Sequence, residues 1–279
     1  MNSSMASRCW RGGVALLGAG LVMLLTLTAS GCASGVGASA TTSGKPDMVT
    51  DSDEPDNRKR ARIRLELAVG YFEQGQTKIA LDELKLSLAA DPNYGEAFNL
   101  RGLIYMRLND NGLAQESFQR AIALNAGDSN ALHNYGWLQC QQGLYPQAVQ
   151  LFSQALANPF YGDRAKTFMA QGLCQIRAKQ LDEGERSLTR SYELDAGNPI
   201  TGYNLAKLLF QRGEMVRAQF YVRRLNNSEL ANAESLWLGV KIERRVGNQD
   251  AMLQLAGQLK KRFPQSKEAQ AYERDAFDE

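Results

Sequence analysis

The chain of 279 residues carries 32 lysines and arginines against 30 aspartates and glutamates, a net charge of +2, with one histidine and four cysteines. So even a balance gives no electrostatic footprint for nucleic acid. One histidine, no repeated metal-ligand spacing and no phosphate-cradling glycine-rich loop leave nothing for catalysis or metal binding. The chain therefore reads as a non-enzyme with no cofactor, no metal and no small-molecule substrate.

Residues 1–31 do not read as part of a fold. Arg8 and Arg11 are their only charges, and Val14–Leu27 is an apolar run. That run is short for a bilayer span and matches the h-region of a secretory signal. Thr28-Ala29-Ser30-Gly31-Cys32 then resembles a bacterial lipobox, which implies cleavage before Cys32 and its lipidation. The other reading is an ordinary signal peptide cut after Ala29-Ser30-Gly31. With Arg8 and Arg11 gone, 30 basic and 30 acidic residues remain. In the lipoproteins this segment resembles, Asp after the lipidated Cys retains the protein in the inner membrane. Ala33 stands there, which implies the inner leaflet of the outer membrane, facing the periplasm. Residues 32–57 hold almost no large apolar side chains and read as a lipidated N-terminus and flexible tether, with a reach of roughly 25–30 Å.

From 58 to 265 the chain repeats itself. Ala80, Ala114 and Ala148 are spaced by 34, followed by Gly184, Ala218 and Ala251 at 36, 34 and 33. A second small residue keeps pace upstream: Ala68, Gly102, Gly136, Gly172, Ala206 and Gly239, although Val240 competes for the last place. Apolar residues such as Leu84, Leu88, Phe118 and Ile122 recur at three- and four-residue spacing, one buried stripe per helix. Gly75, Asn109, Gly143, Gly213 and Gly247 punctuate the helices. This is the tetratricopeptide (TPR) signature. The fold class expected is all-α, a right-handed superhelical solenoid of six TPR helix pairs, because one pair cannot bury its stripe alone. The units run 61–94, 95–128, 129–162, 165–198, 199–231 and 232–265. Asn158–Asp163 accounts for the single spacing of 36. Residues 266–279 read as a polar C-terminal tail, and the early part of the polar stretch from Lys260 can cap the last apolar face.

Several runs narrow the likeness. His133-Asn134-Tyr135-Gly136-Trp137-Leu138-Gln139-Cys140 is similar to the N-Y-G-x-[FL]-x-C segment of the PilF/PilW family of type IV pilus biogenesis lipoproteins, with His133 where Asn is more typical. Ala61–Tyr71 resembles that family's first helix, Asp91–Tyr94 and Asn158–Tyr161 its joints, and Gly172-Leu173-Cys174 its fourth unit. The resemblance implies a pilotin, with outer-membrane secretin subunits as protein partner, helping the secretin to reach the membrane and form its ring. The alternative is a periplasmic TPR lipoprotein adaptor that activates or scaffolds a cell-wall-synthesis enzyme, since the fold alone does not choose a partner.

Binding is expected on the inner face of the first helices. Repeat counting places Asn99, Leu103 and Met106 there in unit two, Asn134 and Trp137 in unit three, Met169 and Leu173 in unit four, and Tyr203, Asn204 and Lys207 in unit five. Asn amides can satisfy an extended peptide backbone, and Trp137, Leu103 and Tyr203 can anchor apolar groups. His133 and Cys140, two helical turns apart, are separated by about 10 Å and make no catalytic pair. Cys140 and Cys174, one repeat period apart in an exported domain, are expected to form a disulfide. The other reading is two small buried thiols filling gaps.

Overall fold

A computed structural model describes residues 53–277. Expectations for residues 1–31, lipidation at Cys32 and most of the tether lie outside the described residues. Within them the chain forms thirteen α-helices and no strand. Six antiparallel pairs run α1 (Asp56–Glu73) with α2 (Thr77–Ala90), α3 (Gly95–Arg107) with α4 (Asn111–Leu124), and α5 (Ser129–Gln141) with α6 (Tyr145–Leu156). They continue as α7 (Arg164–Arg177) with α8 (Leu181–Leu194), α9 (Pro199–Gln211) with α10 (Met215–Asn226), and α11 (Ala233–Val246) with α12 (Gln249–Arg262). A thirteenth, α13 (Lys267–Glu273), closes the series. The pairs stack as a TPR superhelical solenoid, each burying its stripe against the next.

Size complementarity holds each pair together. A Cβ on Gly102 would stand 2.4 Å from the Phe118 ring, one on Gly136 2.9 Å from Phe152, and one on Gly172 2.8 Å from Leu188. The small residue of the first helix thus faces a large one sixteen positions later, and a methyl group there would force the helices apart. Ala68 with Leu84 and Ala206 with Val222 follow the same rule, all four buried. Unit six inverts it: Val240 is buried on α11 and Ala256 on α12. Volume is conserved across the pair while its placement is exchanged.

That inversion corrects the expected register of unit six. Met252, Ala256 and Leu259 are the buried set of α12. Each lies one full period beyond a buried residue of α10, namely Ala218, Val222 and Leu225. Ala251 is only half-buried, so the period stays at 34 and Val240 holds the repeat position. Gly239 is small for another reason: a Cβ there would meet Asn226 Nδ2 of the preceding unit at 2.5 Å.

Every pair turns through one left-handed residue. Gly75, Gly143, Gly213 and Gly247 have φ of 76°, 80°, 80° and 85°, while Asn109 at 59° and Lys179 at 65° do the same with a side chain. Lys179 carries a steric penalty of roughly 1 kcal/mol that glycine avoids. Side-chain caps start α4, α5, α9, α11, α12 and α13 from Asp110, Asp128, Asn198, Asn232, Asn248 and Ser266.

The C-terminal stretch caps the last apolar face, and it does so as the start of a seventh unit. Its first residue, Lys267, lies one period beyond Ala233, the first residue of α11, and Ser266 caps it by accepting from Ala269 N. Ala269 and Ala271 are buried against α11 and α12. The helix stops where Asp275 turns left-handed at φ 53°, and the chain folds back so that Phe277 lies 5.1 Å from Trp237. Apolar surface on α11 with no following unit explains the cover, as terminal caps do in solenoids.

Cys140 and Cys174 are joined by a disulfide linking α5 to α7, with Cα atoms 5.8 Å apart. A second tie between units is a charge cluster. Glu243 on α11 is fully buried and accepts from Arg223 Nε at 2.6 Å, Arg223 Nη2 at 2.9 Å and Gln219 Nε2 at 2.9 Å. A buried carboxylate is tolerable only with such saturation.

Candidate functional site

Two grooves open on the first-helix face, one near each end of the solenoid. The first, 710 Å³, is floored by Leu65, Val69 and Phe72 of α1 and Asn99, Leu100 and Leu103 of α3. The second, 620 Å³, is floored by Tyr203, Lys207 and Phe210 of α9 and Trp237, Leu238 and Lys241 of α11. These are the same six repeat positions four units apart. Position by position, Leu65 becomes Tyr203, Val69 becomes Lys207, Asn99 becomes Trp237 and Leu103 becomes Lys241.

The walls differ in charge. Around the first groove stand Glu73, Glu96 and Asp128 against Arg58. Arg58 is already engaged, its Nε 2.6 Å from Asp91 Oδ2 and its guanidinium 4.4 Å above the Tyr94 ring. Burial, followed by the nearby Glu96, pushes the Tyr94 hydroxyl up to about 12. The second groove has five cations, Lys207, Lys241, Arg245, Lys267 and Arg274, against Glu234 and Glu268. Aromatic faces carry much of that charge. Lys241 Nζ is 5.4 Å from the Trp237 ring, and Arg245 lies 5.1 Å over Phe210. Arg107 over Phe72, at 3.7 Å, is the matching stack at the first groove.

The residues expected on one inner face divide among these environments. Asn99 and Leu103 line the first groove, and Tyr203 and Lys207 the second. Asn134 lines neither groove. It donates from Nδ2 to Asn99 Oδ1 at 3.0 Å, a rung between units two and three. Trp137 is half-buried beside the disulfide, with the Arg177 guanidinium 5.2 Å over its ring. Met106 packs against Ala114, Phe118 and Leu138. The Asn204 amide donates to Ile200 O of its own helix at 2.8 Å. Met169 and Leu173 are half-buried between the ends.

Trp237, Phe210, Lys241, Arg245 and the α13 wall were not read from the sequence. The signal was available: Trp237 and Lys241 lie one period beyond Tyr203 and Lys207. The unsettled choice between Gly239 and Val240 hid it, because a one-residue slip rotates a helix by about 100°.

His133 occupies the position of Asn99 and Tyr203 in unit three and is buried. Its Nδ1 is 2.8 Å from Thr167 Oγ1. Burial, reinforced by Lys166, pulls its pKa from 6.5 down to about 4, so it is neutral at pH 7. Among the described residues no group of three His, Cys, Asp or Glu side chains could hold a metal ion. No helix among them is long and apolar enough to cross a membrane.

Known proteins resemble this arrangement. The Tetratricopeptide repeat family model matches residues 65–129 and 99–165. The type IV pilus assembly protein PilF of Pseudomonas aeruginosa is 27% identical over 255 residues, spanning 91% of this chain and 97% of that protein. The solved structure of Pseudomonas aeruginosa PilF superposes with a TM-score of 0.73 at 25% identity, covering 79% of this chain and all of that one. The crystal structure of PilW, described as a widely conserved type IV pilus biogenesis factor, gives 0.69 at 28% identity, covering 76% of this chain and 97% of that one.

Proposed function

Because the chain belongs to a PilF/PilW-like TPR family of type IV pilus proteins, we propose that it acts as the pilotin of the pilus secretin. In this reading Cys32 carries lipid and anchors the solenoid to the inner leaflet of the outer membrane. The repeat face binds a segment of the secretin subunit and promotes its assembly into a ring. The observation that carries the reading is the likeness to PilF, which runs through 91% of this chain and 97% of that protein. The grooves fit a binding protein: each offers apolar floor and polar rim on rigid helices rather than an enclosed reaction site.

Deletion of the gene in the source organism, followed by blotting for secretin multimers, tests it. Loss of multimers with monomer retained supports the pilotin. Intact multimers with altered cell-wall chemistry overturn it in favour of the adaptor. The lipid is tested separately by Cys32→Ala, which should leave the protein unlipidated and out of floated outer membranes.

A further inference from the structure

We propose that the first helix is a self-association surface, on which α1 of one copy packs antiparallel against α1 of a second copy, Leu67 of each lying on Ile63 of the other. The proposal goes beyond the pilotin reading and does not depend on which partner the grooves take.

The repeat identifies the face. Ile63 is 46% exposed and Leu67 44%, although both stand where later first helices meet the unit before them. One period on from Ile63, Ala97, Ala131, Thr167, Thr201 and Ser235 are all fully buried. Contacts from the preceding unit bury them: Thr201 Oγ1 is 3.0 Å from Ser191 Oγ, and Thr167 Oγ1 is 2.8 Å from His133 Nδ1. At the place of Leu67, Gln171 Nε2 donates to Ser153 Oγ of the unit before it at 3.1 Å. Among the described residues no helix pair precedes α1. The helix is therefore apolar on two opposite sides, with Ala61, Leu65 and Ala68 buried on one and Ile63 and Leu67 open on the other. An end that faces only water carries polar residues in a solenoid. Two large aliphatic side chains there mark a contact surface.

Two observations select a second copy. The C-terminal end is closed, because α13 buries Ala269 and Ala271 against α11 and α12. Head-to-tail stacking is thereby blocked, and the open end meets another copy only through that copy's own open end. Such a twofold contact must be self-complementary, and α1 is. Ile63, Leu67 and Gly70 follow the four-and-three spacing of a coiled-coil seam. Set antiparallel and centred at the height of residue 65, two such helices place Leu67 of each on Ile63 of the other, in two central apolar layers. The flanking layers put Arg60 over Gly70. A Cβ on Gly70 would meet nothing within 4 Å, which leaves room for the arginine stem. Beside the seam the same register brings Lys59 of each copy to Glu73 of the other. Among the described residues neither of these enters an ion pair. Glu66 and Arg64, nearer the centre, are answered on their own chain by Arg62 and Glu83. One helix against its mate falls at the low end of interface sizes, about 1,000 Å² in total, so the dimer is reversible, with a Kd on the order of 10 µM.

The test is sedimentation equilibrium of the purified protein in density-matched detergent, at concentrations from about 1 to 200 µM. We expect a monomer–dimer equilibrium. Ile63→Ala combined with Leu67→Arg, the residues that unit two carries as Ala97 and Arg101, should weaken it at least tenfold at unchanged helicity. Gly70→Leu, which has open space on its own chain, should weaken it severalfold should the double variant misfold. Lys59→Glu should weaken it too, and adding Glu73→Lys should restore it, since the swap rebuilds both pairs with their signs exchanged. A monomer throughout the range, association unchanged in the folded double variant, or failure of the swap to restore it would each overturn the proposal. A monomer whose Leu67→Arg variant loses binding to anionic phospholipid vesicles would assign the face to a membrane instead, and one whose variant loses secretin multimers would assign it to a partner protein. Secretin multimers that persist with a strictly monomeric variant leave the pilotin reading standing.

Discussion

The two grooves are one piece of architecture carrying two chemistries. Leu65, Val69 and Phe72 on α1 hold the same places as Tyr203, Lys207 and Phe210 on α9. The helix pairs beneath them match a small residue to a large one, from Gly102 under Phe118 to Ala206 with Val222, and with the order exchanged at Val240 and Ala256. Yet the first groove is aliphatic with an acidic rim and the second aromatic with a basic one. A solenoid separates these demands because the small-and-large pairs that hold two helices together lie on faces other than the one that lines the grooves. The inner column can then change from Val69 and Leu103 to Lys207 and Lys241 while the small-against-large pair that sets the period is kept. The second difference is the wall. At the first groove the next unit continues as a complete helix, α5. At the second it is α13, seven residues long, which with the turn after it contributes Lys267 and Arg274.

The largest effect should come from the bridge between the two ends. Reducing Cys140–Cys174, or replacing both with serine, removes a cross-link closing a loop of 34 residues. In the loop-entropy model that is roughly 3–4 kcal/mol of stability. Proteolysis and hydrogen exchange should show the loss centred on units three and four, with both grooves intact in mild conditions. A single cooperative transition at unchanged midpoint would mean that the bridge does not couple the ends. Smaller, and dependent on pH, is the contribution of His133. Its folded pKa, about 4, lies below the ordinary 6.5. Between those values the unfolded chain takes up a proton that the folded chain refuses, so stability falls as pH drops from 6.5 toward 4. The full passage is worth roughly 3 kcal/mol. His133→Asn, borrowing the residue of the Asn99 position, should flatten that slope in urea titrations at pH 7 and pH 4.5. An equal slope in wild type and variant would assign the acid sensitivity elsewhere.

The repeat, its helix pairs and the disulfide-forming cysteines were legible because they rest on local rules. A small residue opposite a large one, a left-handed turn residue and a stripe at helical spacing recur with every unit. Even the inner-face places of Asn99, Leu103, Tyr203 and Lys207 follow from that count. Unit six broke the reading because its pair is inverted: Val240 carries the volume and Ala256 yields the space. A search for small residues therefore takes Ala251, one position out of register, and leaves Gly239 and Val240 competing. The volume sum of such a pair is a property of two helices in contact, and no single segment displays it.

By itself, then, the sequence determined the period of the first five units and the helix class, because each depends on residues within one unit. Tertiary structure decided what each position meets. It placed Glu243 against Arg223 and Gln219 and set Asn134 to span to Asn99. It also turned a polar-looking C-terminus into a wall, by giving Ala269, Ala271 and Phe277 the uncovered face of α11 to pack on. Those outcomes depend on the rise and rotation between stacked units. That geometry comes from the summed packing of every interface, and it alone fixes which side chains of distant sequence come within bonding distance.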